Sequence, residues 1–463
     1  MKKIHLQHLY WRSGFGLSNK EFQEIKSFSK SKLILQLFKQ ASHYNPLELD
    51  LSEFLIFLDQ PTKSIKKELG EKQYRELKRK SQRKVRDLNQ AWIERLCEHN
   101  NTFREKMTLF WANVFVCRDN NIFFIQQYNN TLRKHALGNF REFVKAIAKE
   151  PSMSKYLNNR QNKKKSPNEN FARELMELFT LGVGNYTEKD IKESARAFTG
   201  WSFNKKGKFY LRKKHHDYGK KTFFGKTGNF DGDEIIDIIL NQKQCAKYIC
   251  EKIYTYFINP RIDKKRLEEI TTIFYKDYDI EKVMKHIFLS KWFYDDKNIG
   301  VKIKSPIELI VGINTIVPVT FQKKKQLNYL QKMMGQVLLY PNNVSGWKGG
   351  RFWIDSNTLM FRMKLPSLIL NNAIINLEEK GEFEDDFNMY YKQVKKRTRY
   401  LKISKNWNFF LSEYSNLTYT ELKEQLIISK IDEDTNQFLN NLNIKSKKNY
   451  CIQLMSIPEY QLC

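Results

Sequence analysis

SPNENFARELMELFTLGVG, residues 166–184, carries both a start and a stop signal for a helix. Ser166 stands at the N-cap position, Pro167 at the first helical position and Glu169 three residues after the cap. That is the pattern of a capping box, with proline where its missing N–H costs nothing. Gly182 or Gly184 supplies the stop. Phe171, Leu175 and Leu178 line one apolar side, and Ala172, Met176 and Phe179 line another. Asn170, Arg173, Glu174 and Glu177 lie between them at i, i+3, i+4 and i+7, which places them on one narrow polar stripe. Charges on a strip flanked by apolar residues must pair with one another, with polar groups of neighbouring helices, or with a ligand or ion. Two readings stay open. One is a buried Arg–Glu pair that fixes helix packing. The other is a site in which Glu174 does proton chemistry while Asn170, Arg173 and Glu177 bind substrate.

The same period extends outward along the chain. TEKDIKESARAFTGW follows, with Thr187 as its cap, Asp190 at the third position and Ile191, Ala195 and Phe198 as its buried stripe. Upstream, Ser18 and Ser29 or Ser31 can cap two helical stretches within residues 17–40. Residues 70–99 read as a long helix, basic at first and then apolar at Trp92, Ile93, Leu96 and Cys97. TFREKMTLFWANVFVC, residues 102–117, is apolar nearly all round and predicts a buried helix. Residues 122–149 continue helical with a break at Gly138, and helices resume at 233–258 and 264–294. Ser305 with Pro306 opens another. Strand-like alternation is scarce. The expected fold is mainly α: a multi-helix body over residues 1–377, an acidic linker at 378–386 (EEKGEFEDD) and a helical C-terminal appendage at 387–463.

Residues 200–232 break the pattern with Gly200, Gly207, Gly219, Gly225 and Gly228 among aromatic and basic residues, which predicts an irregular insertion with a small hairpin near Lys205–Lys208. His215, His216 and Asp217 sit there, followed by Asp231 and Asp233. An imidazole beside a carboxylate suits acid–base work, so His216 and Asp217 join Glu174 as candidate catalytic residues. A divalent metal is an alternative use of these donors, although the spacing is not that of a zinc site. Asp231 reads as a turn residue and Asp233 as a helix cap. In the loop 340–354, Trp347 and Trp353 either offer flat faces to a sugar or peptide or pin the loop to the core.

Composition narrows the classes. Of 463 residues, 81 are Lys or Arg and 51 are Asp or Glu, a formal charge of +30. Aromatic residues make up 14%, enough for a core and against wholesale disorder. The charge invites a nucleic-acid reading, with KSIKKELGEKQYRELKRKSQRKVR at 63–86 as its densest stretch. Glutamates interleave there as on a solvated helix face, and the chain's wealth of Lys, Asn and Ile is what an AT-rich genome produces, so this stays the minor alternative. The N-terminus has no apolar signal region and no run of about 18 apolar residues occurs, which predicts a cytoplasmic protein without a membrane span. Six scattered cysteines with no C-x-x-C pair read as reduced, buried thiols. Walker, dinucleotide-binding, nucleophile-elbow and metalloprotease motifs are missing, which disfavours those enzyme classes.

The chain resembles the bacterial domain-of-unknown-function family numbered 1800 over residues 5–370. Carrying the resemblance are SPNENFARELMELFTLGVGNYTEKDIKESARAFTGWSF, HDYGKKTFFGKTGNFDGDEIID, IKSPIELIVG and GQVLLYPNNVSGWKGGRFWIDSNTLMFR, with HLYWRSGFG and EKMTLFWANVF. The resemblance implies a predominantly helical protein and supplies no reaction. By family analogy it suggests an exported sulfatase-like or phosphatase-like partner, although many relatives look exported and this chain shows no readable signal. Relatives also often carry two histidines in a form like FWHNHF, where this chain has Phe110-Trp111-Ala112-Asn113-Val114-Phe115. Together the residues point to hydrolytic or transfer chemistry on a polar substrate, a glycan or an ester. A non-catalytic binding or assembly protein is the alternative.

Overall fold

The computed structural model describes residues 1–98, 101–371, 401–442, 444 and 446–463, with the side chain of Asn357 left aside. The fold is mainly α-helical, and its strands form small two-stranded antiparallel sheets. The chain divides into two compact units. One gathers Met1–Leu33, Tyr294–Val337 and Lys348–Cys463; the other gathers Ile34–Phe293 and Leu338–Trp347.

The unit of residues 34–293 and 338–347 is built round the helix Thr102–Val114, in which every residue but Thr102 and Asn113 is buried, as its sequence required. Trp111 packs at 5.3 Å from Phe143 and 5.6 Å from Phe140 between ring centroids, and its indole N–H donates to the Ala136 carbonyl at 2.9 Å. Phe140 and Phe143 belong to the strongly amphipathic helix Phe140–Ala148, whose cap Asn139 accepts the N–H groups of Arg141 and Glu142. Gly138 marks the break before it. A buried ion pair crosses this core: Arg133 donates to Glu105 at 2.5 and 3.1 Å, and the Trp92 indole donates to the same carboxylate at 3.1 Å. With three donors on two oxygens, the buried charge is satisfied rather than stranded.

The long basic helix spans Thr62–Cys97 and kinks at Gly70, whose φ of +74° is open to glycine at little cost. Thr187 and Asp190 form the expected capping box, and so do Ser18 with Glu21 and Ser305 with Glu308. The insertion holds two hairpins, Trp201–Phe203 with Phe209–Leu211, around the anticipated turn, and Lys221–Phe223 with Lys226–Gly228.

Two local readings need correction. Ser166 does not cap a helix: its backbone bridges to Lys163, and the helix starts at Asn170 with Asn168 accepting the Asn170 N–H at 3.1 Å. Asn168 is itself held by the side chain of Asn162 at 2.9 Å, a longer-range partner that the local pattern could not show. The helix also does not run on as α. Asn170–Glu174 is α and Leu175–Thr180 is a π turn, where the Thr180 hydroxyl donates to the Leu175 carbonyl and the N–H groups of Leu181 and Gly182 both reach the Met176 carbonyl. The second correction concerns the acids at 231–233. Asp231 caps Gly232–Leu240 in a capping box with Glu234, while Asp233 donates no cap and pairs with Lys149 at 2.6 Å.

In the other unit, residues 401–463 lie with the N-terminal helix Lys3–Ser13. Lys302 and Cys463 exchange backbone hydrogen bonds at 3.1 and 2.8 Å, and Val319–Phe321 pairs with Ile403–Lys405. The Lys304 ammonium lies 3.9 Å from the Trp11 ring centroid and 3.7 Å from that of Tyr460. The segment 378–386 read as a linker lies outside the described residues.

Candidate functional site

The π turn decides how the polar stripe is presented. A π turn takes one more residue than an α turn, so it swings Glu177 from the direction an unbroken α-helix gives it. The stripe is half-buried rather than enclosed. Arg173 turns outward, donating to both oxygens of Glu188 at 2.8 and 3.0 Å and to Glu169 at 3.5 Å. With Glu188 67% exposed, this is a solvent-screened surface pair that contributes little to stability.

Glu174 has a different environment. Its half-buried carboxyl accepts no hydrogen bond among the described residues. Burial, and then the charge of Glu177, raise its pKa against the opposing pull of Arg173. Glu177 accepts the Tyr186 hydroxyl at 2.7 Å. Burial and this hydrogen bond push the Tyr186 phenol up. Half-buried Tyr156 ends the helix Pro151–Tyr156, and its phenol feels the charges of Arg118 and Glu174 after the dominant effect of burial. Gly182 closes the segment at φ +84°, with the Tyr248 ring where a Cβ would stand at 2.9 Å.

His216 and Asp217 are placed at the far end of Glu188–Ala197. Arg173 holds the first residue of that helix and Asp217 holds Arg196 near its last, a separation of about 12 Å along the axis. His216 is buried, and its Nδ1 lies 2.8 Å from the Thr199 carbonyl, so Nδ1 carries a proton and donates it. Asp217 accepts Arg196 Nε at 2.8 Å and the Gly219 N–H at 2.8 Å, while its own N–H donates to Thr199 Oγ1 at 2.8 Å. Burial pushes the Asp217 carboxyl up, but Arg196 and Gly219 outweigh it and hold the group below the usual carboxylate range.

Trp347 is buried, and Asn113 pairs with its backbone reciprocally: the Trp347 N–H donates to Oδ1 at 2.7 Å and Nδ2 donates to the Trp347 carbonyl at 3.0 Å. Trp353, in the other unit, is also buried. Ala112 and Val114, at the positions where histidines were expected by resemblance, are buried and apolar. Among the described residues, no group of three or more His, Cys, Asp or Glu is placed to hold a metal ion. A cleft lined by Trp11, Gly312 and Tyr460 and a groove lined by Arg141, Tyr275 and Asp277 contain none of the candidate residues.

The family described as "Protein of unknown function (DUF1800)" matches residues 8–462, nearly the whole chain. The chain belongs to this family. No curated protein and no solved structure matches it. For this DUF1800 chain, Glu174 and Glu177 were legible from their spacing. Tyr186 was not, because nothing local in the sequence says that its phenol meets the stripe. Among the described residues no helix is long and apolar enough to cross a membrane.

Proposed function

We propose that this face is an acid–base site acting on a glycan. Glu174 is the proton-holding carboxyl, and Glu177, oriented by Tyr186, is its carboxylate partner. What carries the reading is that two carboxyls three residues apart, Glu174 at the end of the α segment and Glu177 in the π turn, have unlike surroundings: Glu174 is half-buried, accepts no hydrogen bond among the described residues and is raised in pKa, while Glu177 accepts a phenol. Unlike environments for paired carboxyls divide the acid and base roles of glycoside hydrolysis. The proposal leaves His216 and Asp217 out of the proton transfer, because their bonds to Thr199 and Arg196 tie the insertion to its helix. Trp347 and Trp353 are buried and are not used as sugar platforms.

The test is release of chromophore from a panel of nitrophenyl glycosides and esters. Glu174→Gln is expected to abolish glycoside turnover and leave the unfolding midpoint within about 1 °C, since the carboxyl makes no hydrogen bond among the described residues. Tyr186→Phe is expected to lower turnover less. Oligosaccharide binding without turnover by the unmodified protein would refute the catalytic reading and favour a binding protein.

A further inference from the structure

Two cationic turns, far apart in the chain, meet beside the insertion. Residues 163–166 form one, in which the Ser166 N–H donates to the Lys163 carbonyl at 2.9 Å and Lys164 and Lys165 occupy the tip. The second is the short 3-10 segment Lys213–His215, closed by the His215 N–H on the Arg212 carbonyl at 2.8 Å. Backbone bonds join them. The Lys164 N–H donates to the His215 carbonyl at 2.9 Å. Gly200 adds a second tie, donating to the Asn162 carbonyl at 3.0 Å and accepting the Arg212 N–H at 2.8 Å. The Arg212 guanidinium supplies a third, donating to the Arg160 carbonyl at 2.5 Å. All of these residues lie in one unit.

The junction gathers charge without neutralising it. Residues 158–168 and 204–216 contain no Asp or Glu. Lys163, Lys164, Lys165, Lys213 and Lys214 are exposed and Arg212 is half-buried. Among the described residues none of the six makes an ion pair. Asp217, just beyond them, is already held by Arg196 and the Gly219 N–H. The His215 imidazole is lowered by desolvation and then by the charges of Arg212, Lys163, Lys164 and Lys214, as expected of a ring that both turns surround. The basic helix Thr62–Cys97 differs, because Glu71 there takes both Lys66 and Arg75. Two tyrosines flank the charges. Tyr210, 45% exposed, stands two residues before Arg212, and Tyr218, 54% exposed, packs edge-on to the His216 ring at 4.6 Å.

We propose that these two turns, with Tyr210 and Tyr218, form a binding surface for single-stranded nucleic acid. The inference stands apart from the acid–base reading and does not rest on it. Lys and Arg side chains only donate, and the oxygens of a phosphodiester only accept, so the surface and the backbone match. A polysaccharide fits less well, because its hydroxyls need acceptors and the side chains at 163–165 and 212–214 supply none. A lipid surface fits less well, because in residues 158–168 and 204–218 the exposed large apolar side chains are the two tyrosines alone. Exposed aromatic faces beside unpaired cations suit bases that are free to stack, which a duplex does not offer.

The test is binding of fluorescently labelled oligothymidylate to the full chain, measured by anisotropy from 50 to 300 mM salt. An abasic strand of equal length, a duplex and dextran sulfate are compared with it. If about four phosphates are held, affinity falls about a hundred-fold over this range. Lys165→Glu/Lys214→Glu is expected to bind at least ten-fold more weakly, and Tyr210→Ala and Tyr218→Ala several-fold more weakly. Arg79→Glu/Arg83→Glu makes the same change in net charge on the helix Thr62–Cys97 and is expected to bind as the unmodified protein does. Equal weakening by the two charge reversals would overturn the inference, because overall charge would then explain the binding. It is overturned too if the abasic strand, the duplex or dextran sulfate binds as tightly as oligothymidylate, or if both tyrosine variants bind unchanged.

Discussion

Glu150 gives the most quantitative consequence of the fold. Its carboxyl is buried between helices, accepting the Thr131 hydroxyl at 2.5 Å and the Gln127 amide at 3.1 Å, with no cation bonded to it among the described residues. Burial pushes its pKa from 4.5 up to about 7, against the smaller pull of these two hydrogen bonds. The folded state therefore holds its proton more tightly than the unfolded chain. The stabilisation is complete below the unfolded value and is lost as pH rises through about 7. At roughly 1.4 kcal/mol per pKa unit, the change amounts to about 3 kcal/mol between mildly acidic and mildly basic solution. Glu150→Gln keeps the shape and cannot ionise, and the Thr131 hydroxyl can accept from the new amide. Guanidinium unfolding of both proteins at pH 5, 6, 7 and 8 is expected to show the variant gaining on the unmodified protein as pH rises, by about 3 kcal/mol at the upper end. Parallel pH profiles for the two proteins would refute the reasoning.

Two further predictions test the core and the loop. Glu105→Gln leaves the buried Arg133 charge uncompensated and is expected to cost about 3–5 kcal/mol in urea unfolding; a loss under 1 kcal/mol would show that the pair is dispensable. Asn113→Ala removes both bonds to the Trp347 backbone, at a cost of about 1–3 kcal/mol. Amide exchange over residues 338–347 is expected to quicken while that of Thr102–Val114 stays slow, and equal protection of the loop in both proteins would exclude this anchor.

The corrected elements show where local reading stops. Thr187, Ser18 and Ser305 cap their helices as their spacing says, because each box closes within four residues and needs nothing from elsewhere. Ser166 has the same letters and forms no box, because Asn162 claims the backbone of Asn168 two residues later. Asp231 takes the capping role assigned to Asp233, whose carboxylate is drawn instead to Lys149.

The candidate site divides in the same way. The order of residues alone settled that the chain is helical and that Thr102–Val114 is buried, because hydrophobic period and spacing act over one or two turns. Tertiary structure alone decided that the face rests on a π turn, that Tyr186 meets Glu177, and that Arg118 stacks on Tyr340. Arg118 and Tyr340 are more than two hundred residues apart in the chain, and no periodicity reaches across such a loop. Only packing, which places Leu338–Trp347 by the side chains of Asn89 and Asn113, brings them together.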